Sequence, residues 1–229
     1  MKQDSPSALF LERQWLHALA VIALLTGAWF LARSCPCFHR GEFWGISTWT
    51  WFWIAVEVPI LHQVFVALFW RAQLHTDLVP RLFGRYGFEV HATLFTVLIL
   101  ARPVVITILA LSSEGSLVGN PAIFKILAVA AAVPVVYLFY SVARFFGFKR
   151  AYGIDHFDPS YRSLPLVRQG IFRFTGNAMY TFGFLLLYIP GLWLASRPAI
   201  VAAVFNHLYI WVHYFTVEKP DMRRIYGAD

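Results

Sequence analysis

The chain has 229 residues, of which 59% are hydrophobic, 18% aromatic and only 14% charged, against roughly 25% charged in soluble domains. A soluble domain of this size has no core large enough for so many apolar side chains. The formal net charge of +7 does not indicate nucleic-acid binding, because the basic residues flank apolar spans and form neither a recognition motif nor a continuous basic face.

Each apolar segment is near the roughly 20 residues that a helix needs to cross a bilayer. In chain order they are about Trp15–Ala32, Thr48–Trp70, Phe88–Leu111, Ala122–Phe146, Met179–Ala195 and Pro198–Thr216. The expected fold is all-α, a polytopic transmembrane helical bundle of about six spans. It reads as a single transmembrane domain over 1–229, with four N-terminal spans in 1–146 and a loop, hairpin and tail in 147–229. Only Ser196-Arg197-Pro198 separates the last two spans, which predicts a tight helical hairpin with Pro198 in the first turn of the final helix. Pro59, Pro103, Pro134 and Pro190 fall within spans and predict kinks.

Lys2, Arg13, Arg71, Arg81, Arg85, Lys149, Arg150, Arg162, Arg168, Arg173, Lys219, Arg223 and Arg224 share one side if both termini do, whereas Arg33, Arg40 and Arg197 lie on the other. The positive-inside rule therefore places both termini and the loop Gly147–Ala178 in the cytoplasm. The first span lacks a small-x-small cleavage site and reads as a retained helix. Cys35 and Cys37 lie in the opposite loop. Their spacing lacks the pattern and further ligands of a metal site, so no metal is expected, and so short a bridge would be strained, which leaves two plain thiols.

Charged residues inside spans are costly and are usually paired or turned to a cavity. Glu57 and Arg102 fall at similar depth in the second and third spans, which predicts that they pair. His62, His91, His207 and His213 lie in or at the ends of spans. Two at matching depth would suit haem, although hydrogen-bonded core positions explain them as well.

The loop Gly147–Ala178 is the longest polar segment and the expected mouth of a site. Asp155 beside His156 could orient a general base. Arg162, Arg168 and Arg173 could hold a lipid phosphate, or could simply follow the topology rule. Thr175-Gly176-Asn177-Ala178 reads as a turn, with Gly176 allowing close backbone approach and Asn177 capping the next helix. Glu218, just past the last span, is suited to accept hydrogen bonds from a ribose or an ammonium.

In this order, Arg173-Phe-Thr-Gly-Asn-Ala-Met-Tyr180, the apolar hairpin, Glu218-Lys-Pro220 and Ile225-Tyr226 resemble the integral-membrane methyltransferases. That group includes phosphatidylethanolamine N-methyltransferases and isoprenylcysteine carboxyl methyltransferases, and the phospholipid enzymes are the nearer likeness. The likeness covers about Gly170–Gly227. It implies S-adenosylmethionine as cofactor, bound by Arg173, Gly176, Asn177, Met179, Tyr180, Gly183, Glu218 and Pro220. It also implies a lipid or lipidated acceptor; the loop's own residues make Arg162 and Arg168 the candidates to bind it, and His156, Asp155 and Glu218 are the catalytic candidates. Ala178 replaces the family's usual proline, and Lys219 its second glutamate. The alternatives are an isoprenylcysteine or small-thiol acceptor, an NADPH-dependent membrane reductase and a haem-binding membrane protein. Oligomeric state is not legible in the sequence.

Overall fold

A computed structural model describes residues 5–227, so Lys2 lies outside the described residues. The helices are α1 Pro6–Phe10, α2 Gln14–Ser34, α3 Thr48–His75, α4 Leu78–Phe83, α5 Gly87–Ser112, α6 Pro121–Ser141, α7 Phe148–Ala151, α8 Ala178–Phe182, α9 Tyr188–Trp193, α10 Arg197–His213 and α11 Lys219–Tyr226. A two-strand hairpin, β1 Glu42–Phe43 and β2 Ile46–Ser47, joins α2 to α3. The architecture is an all-α polytopic bundle.

Among the described residues, five helical stretches are long and apolar enough to cross a membrane: Pro6–Ser34, Thr48–His75, Leu78–Ser112, Pro121–Phe146 and Arg197–Tyr226. The remaining expected span is a shorter apolar stretch, Ala178–Trp193, in which α8 and α9 flank a 3₁₀ segment at Gly183–Leu187. Tighter 3₁₀ winding is usual only in short pieces, and it breaks this arm of the hairpin into segments.

Helix starts follow local chemistry. Ser47 Oγ accepts from the Thr50 N–H at the head of α3. Asn120 Oδ1 accepts from the Ala122 N–H at the head of α6. Ser196 Oγ accepts from the Ala199 N–H at the head of α10, and Pro198 sits in that first turn as expected. Each cap satisfies one of the backbone donors that a helix N-terminus leaves without an intrahelical partner. Pro59, Pro103 and Pro134 lie inside α3, α5 and α6.

The main core joins α2, α3, α5 and α10 through Phe52, Val56, Ile106, Leu109, Ala199, Ala202, Ala203 and Tyr209. Its alanines let the backbones approach closely, which favours helix association in lipid, where burial of apolar surface drives little. Polar contacts between helices supplement this packing. Asn206 Nδ2 donates to the Ala55 carbonyl, His17 bonds Tyr209 and Thr216 on its two ring nitrogens, and Ser113 bonds Ser196 hydroxyl to hydroxyl.

Two sequence expectations are corrected here. Glu57 and Arg102 do not pair: Glu57 is exposed on the outside of α3, whereas Arg102 is buried at 2% exposure. Matching depth places two residues at one level, but pairing also requires them to face each other around the helix axes. Cys35 and Cys37 are joined by a disulfide with their Cα atoms 5.2 Å apart, not two plain thiols. The 3₁₀ turn Pro36–Phe38 brings the two side chains together.

Candidate functional site

One end of the bundle is fastened by Arg71, near the end of α3 and 1% exposed. Its Nε lies 3.4 Å from Asp221 Oδ2. Its Nη1 donates to the carbonyls of Phe10 and Glu12, and its Nη2 to that of Thr216. Arg224 completes the clasp through Asp221 Oδ1 at 3.3 Å and through Glu12. A guanidinium with a partner on each of its nitrogens is the arrangement under which a buried ion pair is tolerated. It ties the N-terminal turn, α3 and α11 together and so fixes where the chain leaves α10. The sequence reading counted Arg71 only as a topology charge and gave Asp221 no role.

The polar loop packs onto this clasp. Gly153, at φ 78°, lies so close to the Trp70 ring that a Cβ would overlap it, a conformation and an approach that suit glycine. His156 then stacks on Trp70 with ring centres 4.1 Å apart. Its Nδ1 lies 3.2 Å from the Gly153 carbonyl, which fixes that nitrogen as the donor. Burial is the main reason its pKa falls to about 3, so the ring is neutral at physiological pH.

Asp155 does not bond His156. Its Oδ2 instead accepts a hydrogen bond of 2.5 Å from the Tyr226 hydroxyl. Burial raises the Asp155 pKa, and the Tyr226 bond partly offsets this. Asp158 takes a different role, capping the next turn by accepting from the Ser160 N–H; the Ser160 hydroxyl and then this N–H hold its pKa below the ordinary value. Arg162 Nε donates to the Asp155 carbonyl at 2.9 Å, so its guanidinium braces the loop. Arg168 and Arg173 are exposed, and Arg173 lies over the neighbouring Phe174 ring at 4.6 Å.

The second feature is the start of the C-terminal hairpin. Gly170, at φ 60°, abuts α6 where a Cβ would meet Ser141 Oγ at 2.5 Å, and the Ile171 N–H donates to that same hydroxyl. This contact sets the course of the chain toward Gly176. A Cβ at Gly176 would meet no atom within 4 Å, so the backbone there borders open space. Asn177 holds the position before α8 without a side-chain cap bond, and its carbonyl accepts from the N–H groups of Tyr180 and Thr181. The Tyr180 hydroxyl donates to Glu218 Oε2. Glu218 ends a π-helical turn, Tyr214–Glu218, that follows α10; such turns re-aim side chains within a helix. The two ends of the hairpin are thereby joined. Pro220 is buried in the first turn of α11, and Lys219 turns away over the Phe215 ring.

Between these features lies a chamber of about 410 Å³. Met179, Tyr180, Gly183 and Phe184 form one wall, and Val66, Trp70, Phe95 and Leu138 contribute apolar surface from α3, α5 and α6. The polar groups on its lining include His62, Gln63, Arg102 and His213. Of the sequence-named cofactor residues, Met179, Tyr180 and Gly183 face this space, Glu218 reaches it through Tyr180, and Gly176 and Asn177 lie one turn before. Asp155 and His156 do not line this space, although His156 stacks on Trp70, which does. His91 and His207 have hydrogen-bond partners, in Trp70 and Tyr188 respectively. Sequence reasoning missed the chamber's own cation: Arg102 had been given a partner at equal depth, and no motif marks it.

Among known proteins, no curated protein and no solved structure matches the chain. The family model described as phospholipid methyltransferase matches residues 123–229, which include α6, the polar loop, the hairpin and α11. Over that segment, a little under half of its length, the chain is similar to the phospholipid methyltransferases.

Proposed function

We propose that the protein transfers the methyl group of S-adenosylmethionine to a lipid-borne acceptor, a phospholipid amine headgroup being the favoured class. The carrying observation is the Tyr180–Glu218 hydrogen bond. It joins the two ends of the hairpin beside an apolar chamber, so a polar cofactor at the hairpin mouth and a lipid in the chamber can meet. The open space beside Gly176 fits a bound adenosyl group, since the backbone N–H groups there can be approached without a Cβ in the way.

When bound, the cofactor supplies an electrophilic methyl on a positively charged sulfur. The protein's part is to orient the two reactants and exclude water. Met179, Tyr180 and Gly183 shape the wall where the donor and the acceptor meet. Glu218, held by Tyr180, can accept hydrogen bonds from the cofactor's polar end. An amine acceptor must also lose a proton. His156 is a weak base because burial disfavours its charged form, and neither it nor Asp155 lines the chamber. Glu218, held beside the chamber by Tyr180, is therefore the carboxylate best placed to receive that proton. Arg168 and Arg173 at the exposed rim can attract a lipid phosphate, while Arg162 holds the loop. With the polar loop and both termini on the cytoplasmic side, the cofactor enters from the cytosol and the lipid enters sideways between helices.

Calorimetry on the detergent-purified protein tests this reading. S-adenosylmethionine and S-adenosylhomocysteine should each bind saturably at micromolar levels, and NADPH should not. Binding of NADPH alone would replace the proposal with a reductase.

A further inference from the structure

The chamber contains a cation that the methyl-transfer reading leaves without a task. Arg102 is 2% exposed, and its Nε, Nη1 and Nη2 have no hydrogen-bond partner among the described residues. None of the ion pairs there includes it, and the acid at its own depth, Glu57, faces outward. Its cation–π contact is with the Phe184 ring, 5.6 Å from the guanidinium carbon, at the outer reach of such a contact. The groups that favour its charge are the neutral hydroxyls of Tyr209 and Tyr180 rather than an anion. A buried guanidinium without an anion is among the costlier groups a membrane protein can hold, and such groups mark ligand pathways. Arg71 shows the contrast, since each of its three nitrogens has a protein partner.

Arg102 also lines the chamber. It lies well inside α5, about 22 Å along the axis from Gly87, so it is beyond the reach of a group that stays in the interfacial layer. A space of about 410 Å³ suits a drug-sized ligand or the polar end of a lipid whose tails stay between the helices. We propose that Arg102 binds a carboxylate or phosphate oxygen of the acceptor, drawn down into the chamber, with the acceptor's apolar part against Val66, Phe95 and Leu138. The planar fork of arginine matches either anion bidentately. This inference rests on the reading that the chamber takes the acceptor. It narrows that acceptor to an amphiphile whose acidic group can be drawn into the chamber.

Fluorescence quenching in neutral maltoside micelles tests it, because Trp70 lines the same space. The probes are 12-bromododecanoate and its neutral counterpart 12-bromododecanol, with unlabelled dodecyl phosphate as competitor. The carboxylate should quench saturably, and dodecyl phosphate should displace it if phosphates are accepted too. The alcohol should bind at least roughly tenfold more weakly. Arg102→Met should remove that preference while melting no lower than wild type, because it replaces an uncompensated buried charge with an apolar side chain. Arg102→Lys should keep part of it. Equal affinity of the two probes for the wild-type protein would overturn the proposal, even if Arg102→Met failed to fold. Loss of S-adenosylmethionine binding in Arg102→Met, with carboxylate binding intact, would assign the guanidinium to the cofactor instead. The quenching needs neither cofactor nor turnover, so a protein inactive in methyl transfer would still answer the question.

Discussion

Gly176 and Glu218 offer the sharpest tests at single positions. A side chain at Gly176 meets open space and needs no unusual backbone angle, so Gly176→Val should fold and melt as the wild type does. If the space beside it holds the cofactor, the variant should nonetheless lose S-adenosylmethionine binding in calorimetry; unchanged affinity would move the cofactor elsewhere. Glu218→Gln should weaken binding by about 1–3 kcal/mol through loss of a charge-assisted hydrogen bond. Because Tyr180 orients that carboxylate, Tyr180→Phe should have a smaller effect of the same sign. The double variant should cost less than the sum of the two, as expected for residues that act as one unit. Strict additivity would mean that the hydroxyl and the carboxylate serve separately.

The clasp at the end of the bundle works between elements. Asp221 is fully buried beside Arg71, so Asp221→Ala leaves a guanidinium short of its counter-charge and should lower stability by about 3–5 kcal/mol. Arg224→Ala removes a half-exposed partner of the same acid and should cost no more than about 1 kcal/mol. Thermal melts of the two variants in one detergent check the ranking, and similar losses would show that Asp221 is held mainly by Arg224. Span positions and the start of α10 were legible in the sequence, because hydropathy and Pro198 act locally, whereas the cap expected of Asn177 does not form. The failure of Glu57 to pair with Arg102 was not legible. Both spans are apolar nearly all round, so the pattern gives depth along each helix but not rotation about it. The break in the first arm of the hairpin was legible only in part: Pro190 predicts a kink there, whereas no residue of Met179–Ala195 marks the 3₁₀ segment at Gly183–Leu187. Arg71 and Asp221 lie 150 positions apart along the chain, and neither motif nor spacing links them.

Across the whole molecule, the chamber has two origins. Met179, Tyr180 and Gly183 come from the segment that matches the phospholipid methyltransferases, and His62, Trp70 and Arg102 from helices outside it. The family likeness therefore reaches the hairpin wall, and the opposite wall, where an acceptor's identity would be read, carries no such guide. In the loop, His156 stacks on Trp70, which lines this chamber, and its buried ring is neutral. The ordinary histidine pKa of 6.5 falls to about 3 in the fold. The unfolded chain therefore takes up the proton first, and stability is lost as pH falls from about 6.5 toward 3. Asp155 acts in the opposite sense: its raised pKa means that the fold gains relative to the unfolded chain as acid protonates it. His156→Phe keeps an aromatic ring against Trp70 and removes only the histidine's titration. Its melting temperature should therefore fall less steeply than that of the wild type between pH 7 and pH 5, whatever its value at pH 7. The comparison cancels Asp155 and every other group common to both proteins. Parallel curves for the two would mean that His156 is protonated as readily in the folded protein as in the unfolded chain, and that the contact with Trp70 does not require the neutral ring.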